Sequence, residues 1–166
     1  MNDSKSAVSS QSDRNLLRHA LATVAYRGRK AVANAPESFA TFRASATTRT
    51  PAEILAHVGD LFDWALSLVQ GKEQWHDSAP LPWQKEVERF HATLQSFEDY
   101  LASDAPLSSS AEALFQGPIA DALTHVGQIA MLRRMAGAPI RSENYSRAEI
   151  VAGRVSAQQT APKREF

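Results

Sequence analysis

The sequence predicts an all-α protein, a four-helix bundle followed by an ordered C-terminal tail. Three observations carry that expectation. Four stretches repeat apolar residues at three- and four-residue steps, start and stop signals bracket them, and no stretch shows the two-residue alternation of a half-buried strand. With 166 residues, 43% hydrophobic and 22% charged, the chain has the size and make-up of one globular domain.

Residues 1–12 are rich in serine and charge and read as a disordered leader. This polar N-terminus lacks an apolar run, so neither a secretory signal nor a membrane anchor is expected. A first helix is predicted from about Asp13, read as its N-cap, to Asn34, with Leu17, Ala20, Leu21, Val24 and Ala31 on its inner face. Residues 36–49 read as a connection, with Phe39 and Phe42 pinned to the core. The second helix has the plainest start: Thr50-Pro51-Ala52-Glu53 is a capping box with proline at the first helical position. Ile54, Leu55, Val58, Leu61, Phe62, Ala65 and Val69 form its stripe, and Gly71 is its stop. At 1.5 Å per residue such a helix is roughly 30 Å long.

After a loop carrying Trp75 and His76, a third helix is expected over 83–102. Val87, Phe90, Leu94, Phe97 and Leu101 face inward, and Glu86, Glu88, Arg89, Glu98 and Asp99 form a solvated face. Ser108 to Ser110 read as helix-start chemistry ahead of a short turn, and Gly117-Pro118 as a break. The fourth helix is then expected to start at Pro118, carry Ile119, Ala122, Val126 and Ile129 inward, and stop at Gly137. The bundle thus occupies 13–140, and residues 141–166 form a tail packed on it.

Composition excludes whole classes of function. Eighteen basic residues cancel eighteen acidic ones, leaving no global field to attract nucleic acid. No cysteine is present, which removes disulfides, thiolate metal sites, iron–sulfur clusters and a cysteine nucleophile. No apolar run approaches the roughly 18 residues that span a bilayer. Phosphate-binding glycine loops, dinucleotide fingerprints and nucleophile elbows are missing as well. The expectation is a cytoplasmic protein with no nucleic-acid or membrane partner, whose metal ligands, where it has them, are His, Asp or Glu.

Five histidines stand at positions 19, 57, 76, 91 and 125. His91, on the charged helix, is expected to be solvated, and His76 has no partner in the sequence. His57 follows Ile54 by three residues and precedes Leu61 by four, on the flank of a buried stripe. His125 sits likewise between Ala122 and Ile129, and Asp121 lies one turn before it on the same face. Two such heads stand about 6 Å apart, and with His57 from a facing helix they make a two-histidine, one-carboxylate set suited to zinc, iron, nickel or manganese. The plainer readings are hydrogen-bonded core histidines, and for Asp121 a carboxylate favouring the helix dipole in the first turn after Pro118. Gln128 faces a cavity in one reading, where it touches a ligand or supports one, and is an ordinary helical residue in the other. Trp64, Trp75 and Trp83 are read as helix-edge packing, with a cavity rim as the alternative. Arg133 and Arg134 are read as favouring the dipole at the end of their helix.

The segment Asp121-Ala-Leu-Thr-His125-Val-Gly-Gln128, with its arginine-bearing end, resembles the last bundle helix of the DinB-like family. Ala52-Glu-Ile-Leu-Ala-His57-Val-Gly-Asp-Leu-Phe-Asp-Trp64 resembles the second helix of that family, and the likeness runs over about 13–140. It implies a metal held by His57, Asp121 and His125, with Asp121 standing where the family usually has histidine. It further implies homodimers and metal-dependent chemistry that activates a low-molecular-weight thiol, or water, for transfer to or hydrolysis of a small-molecule substrate. The competing expectation is a non-catalytic stress-response or interaction bundle whose metal site is vestigial.

Overall fold

A computed structural model describes residues 3–166, with side-chain surroundings from Gln11 onward. Among the described residues the chain is all-α: four long helices, short helical turns and one isolated bridge between Glu143 and Glu165. Helix α1 spans Asp3–Val32, α2 Pro51–Val69, α3 Trp83–Ala102, and α5 Ala120–Met135. The single-turn α4, Ala111–Leu114, precedes α5. None of these helices is long and apolar enough to cross a membrane.

Two boundaries differ from expectation. Residues 1 and 2 of the expected leader lie outside the described residues, and α1 is already helical at Asp3, so Asp13 is an interior residue and not a cap. No glycine or proline precedes Gly28, and a nucleated helix extends cheaply through such sequence. The second difference is at Gly117-Pro118, which does not break the chain. Phe115–Ile119 forms a π-helical turn that joins α4 to α5, and the Ala120 amide reaches back to the Phe115 carbonyl. Proline has no N–H to give and its ring crowds the carbonyl four residues back. Widening the turn absorbs both problems without ending the helix.

The capping box is present as expected: Glu53 N–H donates to the Thr50 hydroxyl at 3.2 Å, and Thr50 N–H to the Glu53 carboxylate at 2.6 Å. Ser110 caps α4 in the same way, accepting from the Ala113 amide at 3.2 Å. The long helices meet in a ring, with α1 against α3 and α5, and α2 against the same two. The four apolar stripes close on one core, with Leu21, Val58, Phe62, Phe90, Leu94, Phe97 and Ile129 fully enclosed. Phe39 joins that core edge-on to Trp83 at 5.6 Å, and Phe42 packs against it. Gly28 permits a close contact between α1 and α3, because a Cβ there would run into the Phe90 ring.

Several charged groups expected at the surface are inside. Arg133 is buried and donates to the carbonyls of Ala31 and Ala33 at 3.1 and 2.9 Å, so it caps the C-terminal end of α1 and does not simply face its own dipole. Arg14 serves the end of α3 likewise, donating to Leu101, Ser103 and Ala105 carbonyls. Glu86 accepts from the Leu81 amide at 2.8 Å and Glu98 pairs with Arg18 at 2.6 Å, both carboxylates buried. His91 is buried too, its Nδ1 3.0 Å from the Val155 carbonyl. That carbonyl belongs to the segment after α5, which also places Glu143 against Tyr26 and Lys30. Around His91 the face of α3 is covered by chain that has no helical period of its own, while Glu88 and Asp99 stay exposed as expected.

Two outcomes follow from this packing. Gly28→Ala is expected to cost about 1–3 kcal/mol through overpacking against Phe90, read by chemical denaturation. Burial pushes the His91 imidazole below its ordinary value, against the opposing Val155 hydrogen bond. Below about pH 6.5 the unfolded chain therefore binds a proton that the folded protein refuses, and stability drops on acidification. His91→Gln is expected to flatten the pH–stability profile between about pH 7 and 5; an unchanged slope would place the acid sensitivity elsewhere.

Candidate metal centre

His57 projects from the middle of α2 and Asp121 and His125 from the first turns of α5, and the three converge. Each offers one ligand atom, and those atoms all lie within 4.8 Å of one another. Asp121 stands between the imidazoles, its Oδ2 3.4 Å from His57 Nε2 and its Oδ1 3.1 Å from His125 Nδ1. The imidazole rings are 4.7 Å apart, centre to centre. The His57 and His125 side chains are 20% and 13% exposed and Asp121 is 44% exposed, so the ring nitrogens are shielded while the carboxylate opens to solvent.

The π turn determines this meeting. In an α-helix each residue advances the face by about 100°, so one extra residue per turn rotates all that follows by that amount. It also bears on the plainer account of Asp121. The helix is continuous from the Ser110 cap, so its free amides lie at α4, and Ile119, which precedes α5, is itself helical. Asp121 is not in the first turn of an open helix end, and the dipole gives no reason for a carboxylate there.

His125 is oriented by its own helix. Its Nδ1 lies 2.9 Å from the Asp121 backbone carbonyl, which can only accept, so the proton belongs on Nδ1 and the lone pair on Nε2. His57 is held from the other side by aromatic contact. Trp75 lies edge-on to it at 5.6 Å and edge-on to Trp64 at 6.0 Å, so Trp75 borders the triad with Trp64 behind it, while Trp83 is in the core. Gln128 is not brought to the triad. It is exposed and lines an apolar groove with Ile54, Thr124, Met131 and Met135. His76 is exposed, and His91 is on the far face of α3 beneath Val155.

A group that sequence reasoning passed over fixes the loop carrying Trp75. Asp60, one turn beyond His57, is buried and accepts from the Ser78 amide at 2.9 Å and the Ser78 hydroxyl at 2.7 Å. Arg89 of α3 donates to Asp60 as well, and to Asp63 at 2.9 Å and the Ala56 carbonyl at 3.2 Å. Burial alone would raise the Asp60 carboxyl, but the Ser78 bonds and the Arg89 guanidinium outweigh it and hold it below its ordinary value. Gly59 makes room, since a Cβ there would stand 3.0 Å from that guanidinium. The signal in the sequence was Gly59-Asp60 itself, a charge set beside a glycine inside an apolar stripe.

Compared with protein-family models, curated proteins and solved structures, the chain has no match in any of the three. The chemistry of the site therefore stands on its geometry. Arg89→Met is expected to cost about 3–5 kcal/mol by leaving the buried Asp60 carboxylate without its counter-charge. It should also speed amide exchange at Ser78. Exchange at Ser78 that stays slow would show that Asp60 holds the loop without Arg89.

Proposed function

We propose that the chain is a metal-dependent enzyme of the DinB-like kind, with His57, Asp121 and His125 as the protein ligands of one divalent ion. The observation that carries this reading is the convergence of three donors from two helices at a carboxylate that the helix dipole does not explain. The donor set fits such an ion. Two imidazole nitrogens and one carboxylate oxygen suit zinc, nickel, iron and manganese alike. The three donor atoms lie within 4.8 Å of one another, with His57 Nε2 and Asp121 Oδ2 3.4 Å apart.

A bound ion of this kind lowers the pKa of a thiol or water beside it toward neutrality. The residues of the chain do the rest. The carbonyl of Asp121 keeps the His125 proton on Nδ1 and the ring in place. Asp121 brings the one anionic ligand, which hardens the set relative to three imidazoles. Trp75 packs against His57, while Asp121 is the member of the set most open to solvent. The reaction read from this arrangement is transfer of an activated thiol to a small electrophile, or hydrolysis by activated water. The fold proposed for it is the four-helix bundle that the DinB-like resemblance implies.

The decisive measurement is elemental analysis of untagged protein. Near-stoichiometric transition metal is expected in the native protein, and none after His57→Ala and His125→Ala together. Asp121→Asn should weaken metal affinity by more than about a hundredfold, beyond what loss of a supporting residue does, while Asp121→His should keep it. Metal-free protein that refuses zinc, nickel, iron and manganese would overturn the proposal in favour of a non-catalytic bundle.

A further inference from the structure

A cavity of about 310 Å³ opens beside His57, walled by the connection ahead of α2, by α2 itself and by the loop after it. That volume is at the lower end of the roughly 300–1,000 Å³ of small-molecule sites. Nearly every polar group in its wall is committed to the scaffold. Arg43 donates to Glu53 and to the Thr48 carbonyl, and the second Glu53 oxygen takes the Thr50 amide. The Thr47 and Thr48 hydroxyls bond to Ser45. Asp60 and Ser78 bond to each other, and Asp60 to Arg89. Two wall groups remain, the Arg49 guanidinium and the Asp77 carboxylate. Among the described residues neither makes a hydrogen bond or an ion pair, with each other or with anything else.

We infer that this cavity binds a small zwitterion, its anionic group on Arg49 and its cationic group on Asp77. The backbones that present the two charges are both pinned. Arg49 immediately precedes the Thr50 capping box, and Asp77 immediately precedes Ser78, which is tied to buried Asp60. With both backbones fixed, only the two side-chain rotamers have to be ordered when a ligand bridges the charges. A guanidinium matches a carboxylate or phosphate in a two-point fork, and a carboxylate matches an ammonium. A mono-charged ligand would satisfy one end and leave the other facing it unpaired. His57 is in the same wall, so a ligand in this cavity lies beside one member of the triad. That placement rests on the metal reading for which bond reacts; the selection by charge needs no ion.

The test is a calorimetric titration of the full chain with β-alanine, 4-aminobutyrate and 6-aminohexanoate, against butyrate and butylamine. At least one amino acid is expected to bind about tenfold or more tighter than either mono-charged analogue. Arg49→Gln should reduce its affinity to that of butylamine and Asp77→Asn to that of butyrate. Both side chains are exposed and unpartnered, so the variants should keep the native helical circular dichroism. Equal binding of all five probes, no binding of any, or variants that keep the preference would overturn the inference. Metal content is counted separately. Metal without charge preference removes the cavity reading alone, and charge preference without metal removes the metal reading alone.

Discussion

Pro118 is the constraint on which the arrangement of α5 depends. A residue that cannot donate a backbone hydrogen bond sits in the interior of a helix, buried, with chain continuing on both sides. The conformations open to it are a kink, a break or a widened turn, and the widened turn alone keeps α4 and α5 in one ladder. The register it sets is what turns Asp121 and His125 toward α2. Because the chain ahead of α5 is itself helical, Asp121 is not at an open helix end, and the same turn removes the ordinary reason for a carboxylate at that position.

Much of the helical layout was legible because it rests on local rules. The Thr50 capping box and the apolar stripe behind it bound α2 at Pro51, and the Phe90, Leu94 and Phe97 stripe bounds α3 at Trp83 and Ala102. The His57, Asp121 and His125 grouping was legible for a related reason, since i,i+4 spacing and a stripe flank are local properties that survive folding. Gly117-Pro118 was misread because each residue is a breaker by itself, and periodicity does not say that the chain will pass through them. Glu98, His91 and Arg133 were misread because their partners lie far along the chain, and Glu86 because the loop ahead of its own helix folds back to bond it. A helix face looks solvated in sequence whether or not an aperiodic segment returns to cover it.

The charges divide by what surrounds them. Arg14, Arg133, Asp60 and Glu143 are buried and spend their hydrogen bonds on helix ends, a loop and a neighbouring ion pair. Losing one leaves a partner unsatisfied inside the protein. Arg49, Asp77 and Asp121 face open space, where a charge is not needed to hold the fold. That contrast separates scaffold from site more sharply than residue type does, since both sets draw on the same arginines and aspartates.

The Arg133 contacts with the end of α1 carry a consequence for how the protein is made. The guanidinium and the Ala31 carbonyl are 102 residues apart in the chain. At about 5–20 residues per second, α1 leaves the ribosome roughly 5–20 seconds before the arginine that closes its last turn exists. The early-made helix has to wait, its apolar stripe without α3 or α5 to cover it. Its contacts with the other long helices are chiefly to α3 and α5, so its apolar stripe is covered only when those helices have been made.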